Sequence, residues 1–239
     1  MSTPDFRTRV AAEKRERMRA RLIESALQVF NDKGADATLI EDLITHAQVS
    51  RGTFYNHFRT TEEAMAAVLE ALGNELLTLV DAAIVDRPDP AERLACGVRM
   101  VLHAARQFPQ GGRFISRVGV ARSLDKMPAL GHLMRDLIEA TQLGRFTLSD
   151  PMLGMDLVIG TTSAALFSMS MRTDASDDYP QEITFHILQG LGMPRTAARK
   201  LVAKPIPAVA LPADALLVRT RLTPQPPLET PCETPKTSS

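Results

Sequence analysis

The sequence predicts an all-α chain, and three observations carry the prediction. Apolar residues recur at three- and four-residue intervals through most of the first 203 positions, and nothing reads as a sheet. Asp-Pro pairs at Asp89-Pro90 and Asp150-Pro151 supply a cap followed by a first-turn proline, the usual opening of a helix. Residues 38–61, TLIEDLITHAQVSRGTFYNHFRTT, read as two short helices joined by a tight turn.

Taken in order, residues 1–9 form an arm with Arg7 and Arg9, and a long helix runs from about Val10 to Lys33, stopped by Gly34. Its inward positions are Leu22, Ala26, Val29 and Phe30, while its first half, EKRERMRARL, is charged on nearly all sides and suits DNA backbone or minor-groove contact. Leu39, Ile40, Leu43, Ile44 and Ala47 make the apolar face of the next helix, with Thr38 as cap and Glu41 reaching back. Gln48-Val49-Ser50 breaks the pattern, and Ser50 caps a second short helix from Arg51. Phe54 and Phe58, four apart, point into the core, which turns Arg51, Gly52, Thr53, Tyr55, Asn56 and His57 outward.

Such a surface is poor for packing and good for hydrogen bonds. A helix fits the major groove and presents its first residues to base edges. Arg51 suits guanine, and Asn56 or His57 suits bases or phosphates. Gly52 permits close backbone approach, and Thr38, Ser50, Thr53, Tyr55 and Thr61 carry hydroxyls suited to phosphate oxygens.

A second long helix follows Thr60, with Glu62 and Glu63 in its first turn, and ends at Arg87-Pro88. Further helices are predicted from Pro90 to about Phe108, Arg113 to Arg122 after a Gln110–Gly112 loop, Ala129 to about Thr147, and Met152 to Arg172. Met127-Pro128 punctuates this stretch, and Asp174 to Asp178 is a polar loop. On the Met152–Arg172 helix Gly160, Ala164 and Ser168 form one shaved edge open to a close neighbour. The segment introduced by Tyr179-Pro180, QEITFHILQGLG, is followed by a last short helix from Pro194 to about Ala203. Eight of the sixteen prolines fall in residues 205–239, a tail without its own core in which Leu216 to Leu222 docks as a short strand or helix. The domain reading is 1–60 for a DNA-binding head, 61–203 for a helical regulatory and dimerisation body, and 204–239 for the Pro-rich tail.

Composition narrows the functional classes. At 239 residues and 44% apolar content the chain builds a packed core, and zero formal net charge excludes a general nucleic-acid glue. Residues 1–60 hold ten Lys/Arg against eight Asp/Glu, with the excess between Arg7 and Arg21. Cys96 and Cys232 lie too far apart in sequence to suggest a disulfide framework or zinc site, and no cofactor or metal is expected. The N-terminus has no secretory h-region and no apolar run approaches 18 residues, so the expected location is cytoplasmic. Phosphate-cradle and metalloprotease motifs are absent, which disfavours an all-helical enzyme or small-molecule carrier.

The pattern Thr38…Ala47-x-Val49-Ser50-x-Gly52-Thr53-Phe54-Tyr55-x-His57-Phe58, followed by Glu62-Glu63, resembles the DNA-binding signature of the tetracycline-repressor (TetR) family of bacterial transcription regulators. The resemblance covers about a quarter of the chain and implies that Thr38, Ser50, Arg51, Thr53 and Tyr55 lie at the DNA. Three positions depart from the family pattern: Gln48 stands for glycine in the turn, Thr61 for lysine, and Ile44 for alanine.

The same resemblance implies a ligand-binding body and a homodimer built on the helices near 151–172 and 180–191, meeting a near-palindromic operator. An unknown small organic effector is then expected among Met100, His103, Phe114, Arg117, Met134, Met155, Ile159 and Phe167, with Phe108, Phe146 and His132 also considered. The alternative is an effector-independent architectural DNA binder, whose core would be filled.

Overall fold

The structure, a computed structural model, describes residues 6–118, 129–172 and 176–221. Every regular element among them is a helix. Helix α1 spans Phe6–Lys33, α2 Ile40–Ala47, α3 Arg51–Tyr55, α4 Thr61–Ile84 and α5 Pro90–Gln107. They are followed by α6 Pro109–Val118, α7 Ala129–Gln142, α8 Pro151–Met171, α9 Tyr179–Gly190, α10 Arg195–Val202 and α11 Leu216–Arg221. The Met127-Pro128 break, the end of the helix predicted to Arg122, Asp174 and Cys232 lie outside the described residues.

Helix α4 is the beam that joins the two halves. Thr60 caps it, accepting from the Glu63 N–H at 3.2 Å, and the Glu63 carboxylate accepts from the Arg59 N–H at 2.7 Å. Ala64, Met65, Ala67, Val68, Leu69 and Leu72 are buried with Leu22, Leu27 and Phe30 of α1 and with Phe54 and Phe58, closing the N-terminal core. Farther along the same helix Val80 and Ile84 pack on Cys96 and Met100 of α5. The N-terminal core therefore extends past residue 60 into the first turns of α4.

Both Asp-Pro openings form as expected: Asp89 accepts from the Ala91 N–H at 3.0 Å and Asp150 from the Met152 N–H at 2.9 Å. Glycine roles differ from the prediction in two places. Gln110 to Gly112 is helix, not loop, because these glycines make room: a Cβ on Gly111 would lie 2.2 Å from Leu217, and one on Gly112 3.0 Å from the Ala105 Cβ. Conversely α7 stops at Gln142 rather than near Thr147. Gly144 at φ +67 turns the chain, with Gly144 N–H bonded to Thr141 O and Arg145 N–H to Ala140 O, a Schellman ending.

The described part of the tail packs on the body. Residues 205–221 return over it: Ile206, Val209 and Leu211 pack on the cores, and Leu216 and Leu217 are buried. Of the predicted Leu216–Leu222 segment, Leu216–Arg221 is helix α11, its first N–H groups satisfied by the Glu75 carboxylate, and Leu222 lies outside the described residues. Burial pushes the Glu75 carboxyl upward, against those two hydrogen bonds that hold it down.

Helix α8 is the element nearest to a membrane-spanning composition among the described residues. Its most apolar 18-residue window averages a mean hydropathy of 1.4, so by length and composition it is long and apolar enough to cross a membrane. Leucine, valine, isoleucine, phenylalanine and methionine carry that average, and Asp156 with the glycines and hydroxyl residues interrupts the apolar run. Only 22% of the window is buried in the protomer.

Candidate nucleic-acid interface and internal cavity

The turn before α3 fixes how that helix is presented. Gln48 occupies the left-handed region at φ +51, the one non-glycine residue with positive φ among those described. Gln48 N–H bonds Thr45 O and Val49 N–H bonds Ile44 O, so α2 also ends in a Schellman motif. Because Gln48 is exposed, replacing it with glycine removes left-handed strain at no packing cost. Gln48→Gly is expected to stabilise the protein by about 0.5–1 kcal/mol, after offsetting the larger unfolded-state entropy of glycine. A melting temperature that falls would contradict this.

Ser50 caps α3 as the sequence predicts: its Oγ accepts from the Thr53 N–H at 3.1 Å and lies 2.8 Å from Thr53 Oγ1. Phe54 and Phe58 anchor the helix in the core with ring centroids 5.9 Å apart. The α-helix itself covers only Arg51–Tyr55, and residues 56–57 continue as a turn. Arg51, Gly52, Tyr55 and Asn56 are exposed, while Thr53, His57 and Thr61 are half-buried at the rim. Tyr55 stands edge-on to Phe54 at 5.9 Å, which orients its ring while leaving 49% of the residue exposed. Arg51 pairs with Glu41 of α2, a contact between exposed side chains that contributes little and is readily exchanged for an anionic partner.

Thr38 departs from the reading. It is 4% exposed, and its hydroxyl donates to Gly34 O at 2.7 Å, so it neither caps α2 nor reaches the surface. Leu39 takes the cap position, 63% exposed instead of facing inward, and its N–H is satisfied by Asp42 at 3.0 Å rather than by Glu41. Asp42 also receives Lys33 at 2.6 Å, which holds its carboxyl below the usual range.

The basic half of α1 abuts this surface. Arg19 lies over the Phe58 ring at 5.2 Å, and Arg21 Nη2 donates to Ala47 O at 2.6 Å, tying α1 to the end of α2. Burial first, then the nearby charges of Arg15 and Arg19, push the His57 imidazole pKa down. The locking roles of Arg19, Arg21 and the Thr60 cap were missed in sequence, although the alternation of arginines in α1 was the available signal.

The body carries a partly open cavity of about 160 Å³ between α4, α5, α7 and α8. Its wall is mostly aliphatic, with Leu76, Val80, Val101 and Leu166, and its polar groups are Thr162, Ser163, Asp81 with His132, and Arg93 with Asp136. His132 Nδ1 and Asp81 are 2.9 Å apart. The Thr162 hydroxyl is buried without a hydrogen-bond partner among the described residues, an exception among buried polar atoms.

Of the eight residues proposed for a ligand, only Ile159 lines this cavity; His132, also considered, does too. Met100 is fully buried against Cys96 and Ile84, and Phe114 stacks on Phe30 at 5.8 Å in the N-terminal core. Met155 packs in the body core and Met134 is half-buried off the cavity. Phe167 is 50% exposed on the opposite face of α8. His103 sits half-buried on α5 beside Arg106 and Arg99, and the Arg117 side chain lies outside the described set.

Comparison with known proteins gives this geometry a context. Residues 22–68 match the model of "Bacterial regulatory proteins, tetR family", and residues 89–204 match "Tetracyclin repressor-like, C-terminal domain". The HTH-type transcriptional repressor DhaR of Mycobacterium sp. is 30% identical over 76 residues, 32% of this chain; the chain spans little more than a third of that repressor's length, 38%. The A-factor receptor protein of Streptomyces griseus is 25% identical over 206 residues, covering 81% of this chain and 70% of the receptor. The crystal structure of RolR with resorcinol superposes with a TM-score of 0.67 at 30% identity, covering 83% of this chain and all of that one.

Proposed function

Because this chain belongs to the tetracycline-repressor family of bacterial transcriptional regulators, we propose that it is a homodimeric repressor that binds a near-palindromic operator in the cytoplasm and is released by a small organic effector. The observation that carries the DNA-binding part is α3: a short helix anchored by two buried phenylalanines, capped by Ser50, and outwardly polar from Arg51 to Asn56. Residues 1–60, extended by the first turns of α4, are the reading head; Ser50, Arg51, Gly52, Thr53, Tyr55, Asn56, His57 and Thr61 are its contact set.

Dimerisation is supported by α8. Leu153, Asp156, Gly160, Ala164, Phe167 and Met171 fall on one exposed stripe, with Leu153, Phe167 and Met171 at least half exposed. A contiguous apolar face with a shaved edge calls for a symmetric partner. Paired heads then meet successive major grooves about 34–36 Å apart.

The cavity supports an effector over an architectural binder, whose core would be filled. At about 160 Å³ it has room for a small apolar molecule, with Thr162 to fix one polar group. Helix α4 carries the signal, since Leu69 belongs to the N-terminal core and also lines the cavity. An effector that binds better to a protomer with a displaced α4 shifts the dimer towards wrongly spaced heads.

The test is an anisotropy titration with the intergenic DNA upstream of the gene, alongside light scattering. Sequence-specific retention that weakens steeply with salt, by a particle of twice the 26.2 kDa protomer mass, is the expected result. A lone protomer, or no sequence preference at low salt, would overturn the reading.

A further inference from the structure

We propose that the apolar pocket is one end of a longer channel along α8, and that the other end, built from Arg106, Arg113 and Arg172, forms a mouth that takes the anionic head group of a ligand with an apolar body. The inference rests on the effector reading above and deepens it. Three cavities follow one another along the inner face of α8. The apolar one, about 160 Å³, is bounded by Ile115 and Leu166. A neck of about 20 Å³ shares those two residues and adds Ala105 and Gly112. The third, about 330 Å³, shares Ala105, Gly112 and Leu166 with the neck and opens between α5, α6 and the end of α8.

The lining changes character along this line. The inner end is mostly aliphatic, and its charged groups are paired with one another, Arg93 with Asp136 and His132 with Asp81, beside the Thr162 and Ser163 hydroxyls. The mouth brings one arginine from α5, one from α6 and one from the end of α8 around Ser170 and Met169. Ser116 on α6 and Ser170 on α8 lie 3.3 Å apart, which holds two of these walls together. Arg106 is already engaged by the Asp177 carboxylate, so the mouth holds an anion in the protein itself. The neighbouring His103 imidazole is pushed down chiefly by burial, with Arg106 and Arg99 adding to it.

Guanidinium groups recognise carboxylate and phosphate by paired hydrogen bonds, and three converging on one opening favour an anion over a neutral polar group. From Val158 to Arg172 is about 21 Å along α8, and the apolar portion to Leu166 about 12 Å, at the helical rise. That geometry fits an extended medium-length alkyl or aryl body with a charged end. Leu166 lines all three cavities, so a change of its rotamer joins them. On α8, Leu166, Met169 and Ser170 lie off the exposed Gly160–Ala164–Phe167 stripe.

The sequence contains no tryptophan, so binding is measured by calorimetry on the full chain, with decanoate, decyl phosphate and decanol as probes. The expected result is that at least one anion binds about tenfold or more tightly than decanol, a difference typical of one charge-assisted contact. The two anions tell a carboxylate head from a phosphate head. Arg113→Ala/Arg172→Ala should bring the anions down to the decanol level and leave decanol unchanged, with Arg172→Ala alone giving part of the loss if the double variant does not fold. Equal binding of all three probes, unaffected by the arginine variants, overturns the mouth while leaving the cavity reading intact. Failure of all three to bind overturns the channel altogether, while operator retention without ligand still tests the DNA-binding reading.

Discussion

Gly52→Glu is expected to leave the fold intact and to lower operator affinity by about 100-fold or more, since a like charge forced into an interface costs several kcal/mol. The reasoning separates stability from function at one atom. A Cβ on Gly52 meets open space, its nearest neighbour being Ser50 Oγ at 3.9 Å. Glutamate is a better helix former than glycine, and a carboxylate in the first turn suits the positive end of the helix, so the melting temperature should hold or rise. At the duplex the same side chain fills the gap through which the backbone approaches, and it adds a negative charge against phosphates. A companion Gly52→Lys variant divides the two causes. If both variants lose affinity equally, exclusion of the backbone dominates; if lysine retains non-specific binding and glutamate does not, charge dominates. Unchanged affinity with glutamate would mean that the start of α3 does not face DNA.

This interface was legible where a residue type has one physical job. Ser50 after a broken apolar pattern reads as a cap, and Phe54 with Phe58 reads as an anchor; both are found in those roles. Thr38 was misread because threonine ahead of an apolar run has two options. It can cap the next helix, or its hydroxyl can bond back to a carbonyl four residues earlier. Here Gly34 O receives it, which buries Thr38 and shifts the cap by one residue to Leu39. Gln48 in the left-handed turn agrees with what the family resemblance implied, since glycine usually stands at that place in the turn.

The body was legible in its punctuation and not in its interior. Aspartate before proline opens a helix by local chemistry alone, and both such pairs do so. Glycine carries no such mark: Gly144 turns the chain, whereas Gly111 and Gly112 sit in a helix to admit Leu217 and Ala105. Choosing methionines and aromatics as ligand candidates selected residues large enough to fill space, so Met100 and Phe114 are solid core. A cavity arises where facing side chains are too short to meet. That is a property of how α4, α5, α7 and α8 are paired, visible in one helix only as the spacing Ile159, Thr162, Ser163, Leu166.

Asp136→Ala is expected to be the most destabilising single change in the body, costing about 3–4 kcal/mol and lowering the melting temperature by roughly 10 °C. Arg93 and Asp136 are 8% and 2% exposed, on α5 and α7 respectively. The carboxylate accepts from Arg93 Nε at 3.0 Å and Nη2 at 2.9 Å, and also from Arg135, while Arg93 Nη1 donates to Arg87 O at 2.9 Å. Hydrogen bonding to Asp136, more than any other influence, raises the Arg93 pKa. Removing the carboxylate leaves a guanidinium that cannot shed its proton in an almost dry site, with only Glu139, itself partly exposed, as a remaining anion. The penalty is thus the stranded charge rather than the lost attraction. It follows that Arg93→Met/Asp136→Leu, which takes away both charges and keeps the volume, should recover most of the loss in urea unfolding. Should the single variant cost under about 1 kcal/mol, the range of an exposed pair, Glu139 has moved in to replace Asp136. A Glu139→Gln change made on top of it would then have to restore the full penalty.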